Sequence, residues 1–146
     1  DRVKLGDFGI AKLLREDDQD ASQPRGAHSY MSPEAFDGGE KASTTKRDIY
    51  ALGCTFYELL TAQVAFSLSP KERNEVQAFS DLRKLFQEKH KTAPRPDAME
   101  KAPPNTVSVR LNELLKEMMA VDPKDRPELD KIITRLQAEK QPPVDI

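Results

Sequence analysis

The stretch 45–61 constrains the fold more than any other part of the sequence, because it is apolar on almost every face. Its apolar residues recur at the helical spacings of three and four: Ile49, Leu52, Phe56, Leu59 and Leu60. Others fill most of the remaining faces: Tyr50, Ala51, Cys54 and Tyr57. A helix of this kind lies in the middle of a domain, so residues 45–61 are predicted to form the central core helix. Cys54 is expected to be a small buried apolar group within it.

Further helices are predicted around that centre. Helical periodicity indicates amphipathic helices at about 77–90, 108–120 and 128–138. A proline-rich connection separates the first two and cannot be helical throughout. The helical core therefore spans residues 44–138, followed by a frayed tail at 141–146.

The N-terminal quarter has a different pattern. Residues 2–6 alternate apolar and polar side chains, and residues 10–14 form a second short apolar stretch, so the two suit a pair of short strands. Residues 15–29 are almost entirely polar and indicate an exposed loop, and we interpret His28 and His90 as surface residues. The predicted fold class is mainly α, with a short β-strand pair at the N-terminus.

Composition excludes several classes of protein. The chain has 146 residues, enough for one domain, and its 23 basic and 25 acidic residues leave a net charge of -2. That charge gives no general reason to bind nucleic acid or an anionic membrane, and no apolar run approaches the roughly 20 residues of a membrane span. The single cysteine, Cys54, excludes an internal disulfide and a cysteine-rich zinc site and favours an intracellular setting, cytosolic or nuclear. Because the sequence opens with Asp1 and not Met, we expect a processed product or a fragment.

Four short motifs follow one another along the chain, and none of them is specific alone. They are Asp7-Phe8-Gly9, Tyr30-Met31-Ser32-Pro33-Glu34, Asp48-Ile49-Tyr50-Ala51-Leu52-Gly53 and Asp122-Pro123-Lys124-Asp125-Arg126-Pro127. In this order they resemble the C-terminal lobe of a protein kinase catalytic domain, with Ser in place of Ala in the family's Ala-Pro-Glu element. Met31-Ser32-Pro33-Glu34 together with Gly6-Asp7-Phe8-Gly9 favours the Ser/Thr-specific kinases, including those related to the NimA-type mitotic kinases. Residues 1–140 are thus interpreted as a partial kinase domain with an activation segment at 7–34.

The resemblance implies ATP-dependent phosphorylation of protein hydroxyls, with ATP, Mg²⁺ and a protein substrate as partners. Catalysis of that kind depends mostly on positioning and on neutralising phosphate charge. By resemblance Asp7 supplies a carboxylate ligand to Mg²⁺, a cation that prefers hard oxygen ligands. Phe8 is the apolar side chain whose packing sets the active or inactive state, and Gly9 allows the sharp turn.

Three further residues take structural roles by the same resemblance. Glu34 and Arg126 match a buried ion pair that ties the activation segment to the helices, and a guanidinium holds a carboxylate with two parallel bonds. Asp48 matches a carboxylate that accepts bonds from the catalytic loop. Because that loop is not in this sequence, Asp48 either faces solvent or has partners on another polypeptide. The plainer alternative is a favourable acidic residue near a helix N-terminus.

Within the activation segment, Ser22 is the best candidate for regulatory phosphorylation, ahead of Ser29 and Ser32, although any one of them could be an ordinary loop residue. Ala27 stands where the family's Ser/Thr members have a Thr whose hydroxyl contacts the catalytic groups. That substitution implies a weakened kinase or a pseudokinase.

The sequence contains no Gly-rich loop, no paired strand Lys and helix Glu, and no His-Arg-Asp loop with its Asn. No catalytic residue is therefore present, and the catalytic Asp is expected upstream of Asp1. We expect the chain alone to be inactive, with the absent groups supplied by an N-terminal lobe or a partner protein. The alternative is a catalytically dead interaction module.

Overall fold

The structure, a computed structural model, describes residues 27–37 and 44–140. Most of these residues lie in helices, which are joined by turns and short connections. The α-helices are α1 (Ala27–Tyr30), α2 (Thr44–Thr61), α3 (Pro70–Glu75), α4 (Phe79–Thr92), α5 (Ala98–Lys101), α6 (Val109–Met118) and α7 (Leu129–Glu139). Two 3-10 helices, Pro33–Asp37 and Pro123–Asp125, join them. The mainly α fold class is confirmed, and these residues contain no strand. The strand pair predicted at 2–6 and 10–14 and the tail 141–146 lie outside the described residues.

The four predicted helices are confirmed as α2, α4, α6 and α7, each within two residues of its predicted bounds. Three short helices, α1, α3 and α5, were not predicted, and α1 begins within the stretch 15–29 that was expected to be an exposed loop. Helix α3 begins with a capping box, in which the Ser69 hydroxyl accepts from the Glu72 amide and the Glu72 carboxylate accepts from the Ser69 amide. Helix α5 lies in the proline-rich connection, where the Asp97 carboxylate accepts from the Glu100 amide.

Helix α2 lies at the centre of the fold, as predicted. Its Tyr50 and Cys54 are fully buried, and they pack in one core with the apolar faces of α6 and α7. Those faces contribute Leu114, Leu115, Met118, Met119 and Ile132. The burial of α2 is not complete on every side, however, since Leu59 keeps 76% of its surface exposed.

Gly53 lies where α2 comes close to the C-terminal end of α6. A β-carbon added there would lie 2.9 Å from the Met118 Cβ and 3.0 Å from the Met119 Cγ. Because real β-carbons essentially never approach other atoms so closely, only glycine lets the two helices meet at this spacing.

A second, smaller apolar cluster joins α4 to the first 3-10 helix. Phe36, Leu68 and Phe86 are buried in it, and Met31 packs against its edge. The Arg83 guanidinium donates to the Phe36 carbonyl at 2.6 Å and lies over the Phe36 ring. Residues 27–37 are thereby held against α4 as well as against the central helix. In the residues described, no helix has the length and apolar character needed to cross a membrane.

We predict that Gly53→Ala lowers the free energy of unfolding by about 1–3 kcal/mol in urea denaturation, because the new methyl group overpacks the contact with α6. The matched control is Ala51→Gly in the same helix, which should also destabilise, by about 1 kcal/mol, because glycine is a poor helix former. Stabilisation by Gly53→Ala would contradict the close approach of the two helices.

Candidate functional site

The candidate site is the place where residues 27–37, hereafter the docked segment, meet the helical core. The segment carries two residues singled out from the sequence, Ala27 at the start of α1 and Glu34 in the first 3-10 helix. Four others lie outside the described residues: Asp7, Phe8, Gly9 and Ser22. The structure therefore describes the end of the predicted activation segment and its attachment.

Glu34 and Arg126 form a bidentate ion pair in the structure. The Arg126 Nη1 lies 2.6 Å from the Glu34 Oε2, and the Nη2 lies 2.8 Å from the Oε1. The Arg126 side chain is fully buried, whereas that of Glu34 keeps 17% of its surface exposed. Parallel bonds of this kind match the flat guanidinium to the carboxylate and fix the orientation of both groups.

The other Arg126 donors bond to backbone carbonyls of the helical core. The Nε donates to Ala120 at 2.8 Å, the Nη1 also donates to Lys46 at 3.0 Å, and the Nη2 also donates to Val121 at 3.1 Å. All five N–H groups of the guanidinium thus have acceptors, which is what a buried cation requires. The guanidinium also lies over the Tyr50 ring, 4.8 Å from its centroid.

The pKa of Glu34 follows from the same contacts. Burial by itself raises the pKa of this carboxyl, but the hydrogen bonds and charge of Arg126 outweigh it and hold the pKa below its ordinary value. The ion pair therefore stabilises the fold above the ordinary pKa of a glutamate and loses its contribution only as the pH falls through the lowered value.

A second attachment runs from α1 to the central helix. The Tyr30 hydroxyl donates to the Glu58 Oε2 at 2.6 Å. Burial, with the hydrogen bond and charge of Glu58, raises the pKa of Tyr30. Tyr30 therefore stays protonated and remains a donor at physiological pH.

The interpretation of His28 and His90 as surface residues is wrong, since they keep only 3% and 0% of their surface exposed. The His28 ring packs among aromatic rings at centroid distances of 5.9, 5.3 and 5.7 Å: Phe36, Phe79 and Phe86. His90 continues the row of Leu82 and Phe86 along α4, at spacings of four residues. That row was the signal in the sequence that the ring faces the core.

The His90 ring belongs to a buried chain of hydrogen bonds. Because a carbonyl can only accept, the His90 Nε2 donates to the His28 carbonyl at 2.7 Å. The Nδ1 of the neutral ring then accepts from the Tyr50 hydroxyl at 2.6 Å, and that hydroxyl accepts from the Arg95 Nη1 at 3.1 Å. Burial and the Arg95 charge lower the pKa of His90 to about 4.

Asp48 is exposed near the start of α2, so in this structure it faces solvent, one of the two alternatives given above. Ser29 is half-buried, whereas Ser32 is 1% exposed and lies beyond the reach of a modifying enzyme while the segment stays docked. Of the residues singled out from the sequence, the structure thus brings together Glu34 and Arg126 and leaves Asp48 apart.

Comparison with known proteins decides the family. The family model described as protein kinase domain matches residues 1–136, which is nearly the whole chain. The chain belongs to the protein kinase family.

The curated relatives of this kinase chain are Ser/Thr kinases, and several are of the Nek type, as the motifs predicted. It is 35% identical over 131 residues to the probable serine/threonine-protein kinase nek3 of Dictyostelium discoideum, which covers 90% of this chain and 10% of that protein. It is 31% identical over 131 residues to Nek4 of Mus musculus (90% of this chain, 14% of that protein). It is 34% identical over 149 residues to the serine/threonine-protein kinase A of Synechocystis sp. (97% of this chain, 26% of that protein). The kinase chain thus spans between a tenth and about a quarter of the length of these relatives.

We predict that Arg126→Ala lowers the free energy of unfolding by about 3–5 kcal/mol, because it leaves a partly buried carboxylate and three backbone carbonyls without their donor. Arg126→Lys should also destabilise the chain, because an ammonium cannot form the two parallel bonds. Urea denaturation followed by circular dichroism measures both changes.

The control for this series is Arg135→Ala. Arg135 lies 2.6 Å from Glu117, as close as the Arg126 pair, but the two side chains are 36% and 45% exposed. Its removal should cost about 1 kcal/mol or less. Equal decreases in the free energy of unfolding for Arg126→Ala and Arg135→Ala would show that Arg126 contributes no more to stability than an exposed surface charge.

Proposed function

We propose that this chain forms the helical lobe of an ATP-dependent Ser/Thr protein kinase that phosphorylates protein hydroxyls. The observation that carries the proposal is the buried Glu34–Arg126 pair, which fixes the end of the activation segment to the helical core. Phosphoryl transfer depends on positioning, and a segment held by a bidentate pair offers a substrate peptide a rigid surface.

Metal and nucleotide binding would depend on residues beyond the docked segment. Within residues 27–37 and 44–140, no group of three or more His, Cys, Asp or Glu side chains converges to hold a metal ion. On the family resemblance we assign the Mg²⁺ ligand to Asp7. When bound, ATP and Mg²⁺ would supply the phosphoryl group and the neutralising charge.

The chain by itself is proposed to be inactive, because its sequence lacks the Gly-rich loop, the Lys–Glu pair and the catalytic Asp and Asn. The competing proposal is a catalytically dead interaction module. Its specific support is Ala27, which has no hydroxyl to offer to the catalytic groups. The two proposals differ in what happens when the absent half of a kinase domain is supplied.

The test is a chimaera that joins the upstream half of the Nek4 kinase domain to this chain, assayed with Mg-ATP and a generic protein substrate. We predict phosphate transfer by the chimaera and none by the 146-residue chain alone. Ala27→Thr should raise the rate of the chimaera. Asp7→Asn should lower it more than about 100-fold, because it removes charge stabilisation at the transferring phosphate.

Asp17→Asn is the matched control, since it removes the same charge from the polar stretch after the Asp-Phe-Gly motif and should leave the rate unchanged. A folded chimaera that stays inactive even with Ala27→Thr would contradict the kinase proposal and favour the interaction module. Phosphate transfer by the 146-residue chain alone would contradict the proposal that groups required for catalysis are not in its sequence.

A further inference from the structure

The attachment of α1 to α4 depends on the protonation state of one buried ring. We propose that His90 is a positioning residue whose neutral imidazole holds α1 against α4, and whose protonation weakens the docking of α1 so that the Tyr30–Glu58 bond is left as its attachment to α2. The inference concerns how the segment is held and does not require the kinase activity, so its failure would leave the proposed function untouched.

The neutral ring with its proton on Nε2 satisfies every bond of the docked geometry. The bond from the His90 Nε2 to the His28 carbonyl requires a proton on Nε2, and the Tyr50 hydroxyl occupies the Nδ1. That hydroxyl already accepts from the Arg95 Nη1, so its own proton is directed to the imidazole. A proton added at Nδ1 would make the Tyr50 hydroxyl accept twice, so the Tyr50 proton would have to turn away from the imidazole and lose this acceptor.

The charges around His90 also disfavour an imidazolium. The Arg95 guanidinium approaches it from the connection after α4, donating to the His90 carbonyl at 2.6 Å. The other titratable or cationic groups near it are the His28 ring from α1 and the Tyr50 phenol from α2, with Arg126 over the Tyr50 ring and Arg83 over the Phe36 ring that packs on His90. On the first 3-10 helix, Glu34 is bonded to Arg126 and Asp37 accepts from Gln87. The two His90 nitrogens bond to neutral groups, the Tyr50 hydroxyl and the His28 carbonyl. Among the described residues neither nitrogen bonds to a carboxylate that would offset a new charge on the ring.

The direction of the pH dependence follows from the burial of the ring. The pKa of the docked imidazole is lowered from 6.5 to about 4, and the pH effect is largest where the released ring regains the ordinary value. The contribution of His90 to docking is complete above pH 6.5 and is lost as the pH falls toward 4. For a released ring with the ordinary pKa, the equilibrium constant for docking of α1 should fall about tenfold per pH unit in that window, or roughly 30-fold by pH 5. At pH 5 the Glu34 carboxylate, whose pKa lies below its ordinary value, stays ionised and keeps residues 33–37 in place.

Hydrogen exchange of the 146-residue chain, corrected for the intrinsic effect of pH, tests the inference between pH 7.5 and 5. The amides of Tyr30 and Met31, which lie at and just after the end of α1, should lose protection by up to about 30-fold. Protection should persist at the Ala35 amide, which bonds to the Ser32 carbonyl, and in α6. Nitrogen NMR of the two histidines should show His90 as the neutral ring with its proton on Nε2, which can be observed even if a variant fails to fold.

Two variants identify the sensor. His90→Gln places an amide N–H near the His28 carbonyl but cannot titrate, so the pH dependence should disappear. His28→Phe should keep the dependence, because the acceptor is a backbone carbonyl and a fourth phenyl ring suits the pocket formed by Phe36, Phe79 and Phe86. Protection that stays flat in the parent chain, that falls equally in α6, or that still depends on pH in His90→Gln would overturn the inference. A proton on Nδ1 of the docked ring would overturn it as well.

Discussion

The fold of the described residues depends on one buried cation, the guanidinium of Arg126. A charge without access to water is tolerated only when its donors are all bonded, and the five N–H groups of Arg126 meet this requirement. Its acceptors come from the docked segment, from the start of α2 and from the turn after α6. A single side chain thus fixes three parts of the chain relative to one another, and its removal would leave each of them with an unpaired polar group.

Tyr50 extends that arrangement to α4. Its ring lies beneath Arg126, and its hydroxyl joins Arg95 to His90, which in turn bonds to the His28 carbonyl. Beside the Tyr30–Glu58 bond, the docked segment therefore has two attachments, the Glu34–Arg126 ion pair at one end and the bond from the neutral His90 ring to the His28 carbonyl at the other. The two attachments respond to different conditions, since the carboxylate of the first ionises at a lower pH than that at which a released His90 gains its proton.

Sequence reasoning succeeded where the information was local or where motifs recurred in order. The periodicity of 45–61 was sufficient to predict α2, whereas the partnership of Glu34 and Arg126, 92 residues apart, needed the family's motif order. His28 and His90 were misplaced because polarity alone favours the surface, although the row of Leu82, Phe86 and His90 indicated otherwise. Arg95 could not have been predicted to bond to Tyr50, because no local pattern specifies a contact between a proline-rich connection and a helix 45 residues away.

The central claim is that Glu34 and Arg126 act as one unit that fixes the docked segment. A double-mutant cycle in urea denaturation, with Glu34→Ala, Arg126→Ala and the double variant, measures their coupling directly. We predict a coupling energy of about 2 kcal/mol or more, because each single change leaves the other partner buried without its counter-charge. Single effects that add to within about 0.5 kcal/mol would mean that the two residues are independent, and would contradict the claim.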